Sequence, residues 1–168
     1  MPSPPDMPVR DAPSPTSEQA PSLPPRWFMR TFWKLHRALV RVSGARLGLW
    51  RPRRRGWGAL RLTTIGRRTG QPRRVIVGYF EDGPNLVTMA MNGWGEGEPA
   101  WWLNLQADPH ARVELVDAPR QVVGRAAAGE ERARLWARWA TIDKDLEAYA
   151  AGRGGETAVV VLEPHQDG

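Results

Sequence analysis

"GALRLTTIGRRTGQPRRVIVGYF", residues 58–80, sets two β-prone runs, 58–65 and 73–80, on either side of a loop. Leu60, Arg61, Leu62 and Thr63 alternate apolar with polar, and β-branched and aromatic residues crowd the second run. Both are patterns of strands that bury at least one face. Glycine and proline break the pattern between them, so the four arginines of 66–74 fall in a β–β connection. Cations that close repel one another unless an anion sits among them. A phosphate loop of the Gly-Lys-Ser/Thr kind is excluded, because that ending is missing and no helix follows. A dinucleotide fingerprint fails on spacing and context. The remaining expectation is an anion nest of backbone N–H groups freed by the glycines, with Arg67, Arg68 and Arg73 around it.

The same strand pattern recurs along the chain. "NLVTMAM" (85–91) follows the turn "EDGPN"; "ARVELVD" (111–117) and "RQVVGRA" (120–126) read as a hairpin about Ala118-Pro119; "TAVVVLEP" (157–164) reads as a buried strand. Two helices interrupt the strands. One covers 99–109, with Pro99 in its first turn and a stop before Asp108-Pro109. The other covers 130–152, opens on acids and ends at Gly152. Six short strands with few helices predict a mainly β, α+β fold built on a small barrel, not a doubly wound sheet. On the second helix Leu135, Trp139, Ile142, Leu146 and Tyr149 recur at spacings of three or four and predict an inward face. Tyr149 ends that face, where its phenol either offers a proton at a pocket mouth or caps a buried ring.

Charge is segregated. The 168 residues carry a net +6, yet 26–74 hold fifteen Lys or Arg and no Asp or Glu, while 75–168 hold eight basic and fifteen acidic residues. Such polarity favours an anionic ligand, a nucleic acid or an anionic membrane surface. Nucleic acid is disfavoured because aromatic residues do not interleave with the cations in the strands. No cysteine is present, and His36, His110 and His165 stand at no metal-ligand spacing, so no metal site is expected. No apolar run approaches a membrane span and the first residues do not read as a signal peptide, which predicts a cytoplasmic protein.

Nine prolines in residues 1–25 predict a disordered tail. The domain expected after it covers 26–168 and begins with a basic amphipathic helix ending near Gly44. Phe28, Phe32, Leu35, Leu39 and Val42 form its apolar stripe and Arg30, Lys34, Arg37 and Arg41 its basic one. This helix either packs on the domain or makes a peripheral membrane contact through 27–42 at the inner face. A second cation cluster, "RPRRRG" at 51–56, lies upstream of the arginine loop and is expected to meet the same ligand further out.

"AMNGWGEGEPAWWLNLQADP", residues 90–109, runs from a strand end through a glycine-rich loop into a short helix opened by two tryptophans. Flat aromatics beside exposed backbone suit a planar ring system, although one of Trp101 and Trp102 is expected in the core. Glu96 and Glu98 read as solvated loop charges.

"LTTIGRRTGQPR", then "AMNG…PAWWLNLQADP", then "EERARLW…Y…VVVLEP" closely resemble the deazaflavin-dependent nitroreductase family of actinobacteria, over about residues 36–164. The resemblance implies an FMN-binding-like split β-barrel and coenzyme F420, an 8-hydroxy-5-deazaflavin with a phosphate and an oligoglutamate tail. It places the tail on Arg67, Arg68, Thr69, Gly70 and Arg73. Ala90, Met91 and Asn92 would lie along the ring, with Pro99, Trp101 and Asn104 shaping the adjoining wall. Tyr149 matches a tyrosine bordering the substrate pocket. The implied activity is oxidoreductase chemistry by a monomer, a hydride passing from reduced deazaflavin to a quinone, nitro or activated-alkene acceptor. An FMN-dependent reductase on the same barrel and a non-catalytic deazaflavin- or lipid-binding module are the alternatives.

Overall fold

The structure, a computed structural model, describes residues 48–54, 56–92 and 97–165. The expected tail, the basic helix after it and the loop residues 93–96 lie outside the described residues. Six strands follow in chain order: β1 Gly58–Ile65, β2 Pro72–Asp82, β3 Asn85–Met89, β4 His110–Glu114, β5 Pro119–Ala126 and β6 Val159–Pro164. They close into an antiparallel barrel in the order β1-β2-β3-β6-β5-β4. The closing pair is β1 with β4, where Leu62 faces Val113 and Thr64 faces Ala111. The helices are α1 Ala100–Ala107, α2 Gly129–Ile142 and α3 Leu146–Ala151. The small mainly β barrel expected from the strand pattern is the fold observed.

Strand parity divides the apolar residues between two cores. Leu60, Leu62, Val77, Tyr79, Val113 and Leu162 join Trp101, Trp102 and Leu105 of α1 in the first. Phe80, Val87, Met89, Val159 and Val161 join Leu135 and Trp139 of α2 and Leu146 of α3 in the second. β6 therefore buries both faces, which is why it reads as an unbroken apolar run. Each large side chain so buried contributes roughly 1.5–3 kcal/mol. Phe80 and Trp139 meet with ring centroids 5.4 Å apart, and the Arg138 guanidinium lies 4.3 Å from the Phe80 ring centre.

Three expectations change. The helix expected over 130–152 is two helices, interrupted at 143–145. There the Asp143 side chain accepts from the Asp145 N–H at 3.2 Å, offering the backbone a local partner in place of the helical one. β3 ends at Met89 rather than 91, because the Met91 N–H turns back to the Met89 carbonyl at 2.8 Å. β4 ends at Glu114 rather than 117, where Leu115 N–H bonds the Ala118 carbonyl to form the turn.

The chain before β1 doubles back on it. Trp50 and Ala59 exchange both backbone hydrogen bonds, at 3.2 and 2.9 Å. This crossing leaves no room at Gly58, where a Cβ would lie 2.6 Å from the Pro52 nitrogen and the Trp50 oxygen and 2.7 Å from Tyr79 Cε1. Two of these three atoms are backbone and do not yield cheaply. Gly58→Ala should cost about 2 kcal/mol, within the usual range for overpacking. Thermal unfolding should show it as a drop of roughly 4–8 °C, and an unchanged midpoint would mean that residues 50–52 are not held against β1.

Candidate cofactor-binding site

The loop between β1 and β2 is tightly bonded to itself. The Gly66 N–H donates to the Gln71 carbonyl at 2.9 Å, and the Gly66 carbonyl accepts from Thr69 and Gly70 at 3.0 and 2.7 Å. Gly70 takes φ +64°, a left-handed conformation that favours glycine. The Gln71 N–H approaches Thr69 Oγ1 at 3.4 Å, and Arg73 Nη2 donates to that hydroxyl at 3.2 Å. The Arg67 N–H donates to Asn104 Oδ1 at 3.2 Å. The anion nest expected here is thus absent: the amides of residues 66, 67, 69, 70 and 71 are spent within the protein. Glycine serves the turn, and the guanidinium groups are what the loop leaves exposed.

Those groups are available. Arg67, Arg68, Thr69, Gly70 and Arg73 are all exposed. Among the described residues no carboxylate pairs with Arg67, Arg68, Arg73 or Arg74. By contrast Arg125 pairs with Glu131 and Glu163 at 2.6 and 2.9 Å, and Arg134 with Asp82 at 2.8 Å. The second cluster does not extend the loop. Arg51 pairs with Asp117, and Arg51 and Arg53 border a separate cleft of about 500 Å³ with Trp50 and Trp57.

Asn104 sets the loop's position. It is buried on α1 at 4% exposure, where its Nδ2 donates to the buried Thr64 hydroxyl at 3.1 Å. Its Oδ1 accepts from the Arg67 backbone and, at 3.4 Å, from Arg67 Nη1. One amide therefore joins β1, α1 and the loop. The sequence shows Asn104 as part of a wall; the structure makes it a brace.

The other expected residues gather at the far end of α1. Ala90 is buried and still paired to the sheet, its N–H on the Ala158 carbonyl at 2.9 Å. Met91 packs against the second core and Asn92 is exposed. Pro99 is buried and precedes α1, its carbonyl accepting from Trp102 and Leu103 at 3.0 and 3.2 Å. Both tryptophans are core, at 7% and 5% exposure, and meet edge to face at 6.4 Å; only one was expected there. From Pro99 to Asn104 the helix rises about 7.5 Å. That short rigid element separates the strand end from the cation loop.

Two residues were missed. Arg153, at 8% exposure, bonds the Ala90 and Gly97 carbonyls, and Thr157 beside it is buried at 2%. Neither stands in a motif; an arginine just past a helix end ordinarily reads as a solvated charge. Tyr149 is half-buried on α3. Burial first, then the charges of Asp145 and Asp143 and a hydrogen bond to Asp145, hold its hydroxyl above the usual phenol value. No group of histidine and acidic residues suited to a metal occurs among the described residues.

An exposed arginine loop, without a carboxylate partner among the described residues, is braced by α1, whose other end adjoins the end of β3, and the chain as a whole has known relatives. The family described as F420H(2)-dependent quinone reductase matches residues 30–164. This chain belongs to that family. It is 30% identical over 120 residues to an F420H(2)-dependent quinone reductase of Mycobacterium tuberculosis, covering 66% of this chain and 77% of the relative. Among solved structures, an F420-H2 dependent reductase, FDR-A, aligns with a TM-score of 0.58 at 23% identity, over 69% of this chain and 100% of that one. Another, described as a domain-swapped dimer, aligns with a TM-score of 0.58 at 22% identity, over 80% and 99%. These two likenesses concern the fold. Family membership bears out the oxidoreductase class and the F420 cofactor, and it names a quinone as the family's acceptor.

Removing the brace tests its role in this family member. Asn104→Ala leaves the Thr64 hydroxyl and the Arg67 N–H without their partner. It should cost about 2 kcal/mol in a urea titration, the scale of an orphaned buried polar group. Amide exchange at Arg67 should quicken with it, and exchange as slow as in the parent would deny Asn104 this function.

Proposed function

We propose that this chain catalyses reduction of a quinone by reduced F420, with the cofactor's anionic tail on Arg67, Arg68 and Arg73. The observation that carries the proposal is the arginine loop, braced by Asn104 and paired by no carboxylate among the described residues. Several guanidinium forks without carboxylates suit a ligand with more than one negative group. Phosphate and glutamate carboxylates supply such groups, whereas FMN offers its phosphate alone. The donor set fits F420.

The bound deazaflavin supplies hydride chemistry; the protein supplies binding, alignment and exclusion of water. In this reading Thr69 and Gly70 shape the loop that carries the cations. Met91 and Asn92 offer surface to the ring, Ala90 supports them from the sheet with its own backbone groups already paired, and Pro99 and Trp101 stiffen the adjoining wall from beneath. Tyr149 is the proton donor to the reduced acceptor. Its raised phenol value keeps the proton on oxygen through neutral pH, so it remains a donor there. To donate, it must release the Asp145 carboxylate.

Nitro compounds and activated alkenes are further two-electron acceptors for the same alignment. The reading includes action as a monomer in the cytoplasm. No helix among the described residues is long and apolar enough to cross a membrane. Residues 27–42 either pack on the barrel or meet an anionic membrane surface, and flotation with anionic vesicles separates the two.

Titrating the purified protein with F420 and with FMN, then assaying a quinone panel, tests the proposal directly. Arg67→Glu or Arg68→Glu should weaken F420 by about thirtyfold, near 2 kcal/mol, since each adds repulsion beside an anion. Added salt should weaken F420 more than a deazaflavin lacking the glutamate tail. Equal salt dependence would remove the tail from the loop.

Tyr149→Phe should lower kcat while F420 affinity stays within about twofold, since only the hydroxyl is lost. Because the shift is upward, loss of rate through Tyr149 ionisation should begin above the ordinary phenol value of 10.0. Unaltered rates with every quinone would reduce Tyr149 to packing.

A further inference from the structure

We infer that Arg153 is the positioning residue for the ring-binding end of the site. This inference rests on the proposal that residues 90–92 receive the deazaflavin ring. Arg153 follows α3 directly, its N–H on the Ala150 carbonyl at 3.2 Å. Its side chain turns into the protein. Nη1 donates to the Ala90 carbonyl at 2.9 Å and to Thr157 Oγ1 at 2.7 Å, while Nη2 donates to the Gly97 carbonyl at 2.7 Å. One guanidinium thus joins Ala90, where the chain leaves the sheet, to Gly97, shortly before α1.

That arrangement constrains the backbone where constraint is needed. Beyond Met89 the strand has lost its ladder, and Ala90 retains only the bond to Ala158 on the sheet side. Gly97 takes φ +76°, outside any helix or strand, two residues before Pro99 caps α1. A planar fork with fixed donor directions sets the spacing of the two carbonyls, which a lysine point charge cannot reproduce. The same side chain ties Ala90 and Gly97 to the end of α3, four residues after Tyr149. One residue thus links the backbone beside the proposed ring surface to the end of the helix that carries Tyr149.

A role limited to stability would lower the melting point and leave the ring environment intact. Positioning makes a different demand. Full-length Arg153→Met and Arg153→Lys are compared with Arg132→Met, a neighbour that bonds the Thr157 carbonyl and pairs with Glu156 but reaches neither Ala90 nor Gly97. Without any cofactor, hydrogen exchange over 89–92 and 97–99 should rise at least tenfold in Arg153→Met, with 66–71 unchanged. With F420H2 and a quinone, kcat should fall tenfold or more while the KM for F420H2 moves less than threefold. The absorbance change of bound F420 should shrink as well. Arg153→Lys should recover part of both effects, and Arg132→Met should show neither.

Wild-type exchange across 89–99 together with kcat within twofold in Arg153→Met overturns the inference. If Arg153→Met does not fold, the same criteria applied to Arg153→Lys decide, with at least a threefold change expected in each. Altered exchange in a protein whose parent binds no F420 would leave the clamp standing and sink the cofactor proposal instead.

Discussion

Pairing of β1 with β4 is the constraint on which the rest depends. The two strands are far apart in sequence, and their ladder from Arg61 opposite Glu114 to Thr64 opposite Ala111 turns an open sheet into a barrel without edges. β4 begins three residues after α1 ends, so closing the barrel also draws α1 across β1. Only then does Asn104 reach Thr64 at the end of β1 and Arg67 in the loop beyond it. The Gly124 N–H bonds the Pro109 carbonyl at 2.8 Å, fixing the short link between α1 and β4. A Cβ at Gly124 would stand 3.0 Å from Leu105 Cδ1, so glycine there gives α1 its seat. The site is a consequence of closure.

The arginines divide by what they face. Asp82 lies between Arg134 and Arg138, and the Arg134 hydrogen bond is the main reason its carboxyl is held below the usual range. Glu131 is lowered chiefly by its hydrogen bond to Arg125. Pairs as exposed as these contribute little stability, but they neutralise α2 and the surface of β5 and β6 beside it. The β1–β2 loop has no such neutralisation among the described residues, and its side-chain bonds go to Asn104 and Thr69. Positive charge there raises the energy of the unliganded protein and lowers that of a complex with an anion, a difference that salt reduces.

Most of the fold was legible because its signals are local. Alternation at Leu60 to Thr63, the hairpin of β4 and β5 and the apolar run of β6 each carry their own pattern, although the hairpin turns at 115–118 and Pro119 already belongs to β5. The break at Asp143 was less visible, since Ile142, Leu146 and Tyr149 keep helical spacing across it. In the site, exposure and charge were readable at Arg67, Arg68 and Arg73, whereas the use of the loop amides was not. Backbone accounting depends on where Asn104 arrives, which is set by closure. Thr64 did offer a clue: it shares the inward parity of Leu60 and Leu62, and a polar residue facing a core requires a partner. Arg153 offered none.

Rigid spacing gives such a site a means of selection. In the proposed reading, α1 holds the loop and the strand end apart through Asn104 at one end and Pro99 at the other, over about 7.5 Å of helix rise. A ligand gains both contacts only if its negative groups and its ring are separated to match. A ring with one phosphate engages part of the arginine cluster and leaves the remaining cations repelling one another. A polyanion compensates all of them, so the cost of assembling like charges on an exposed loop is recovered only with the longer ligand. In that reading cofactor choice follows from charge that no carboxylate pairs among the described residues, held at a fixed distance, while acceptor choice is left to α3.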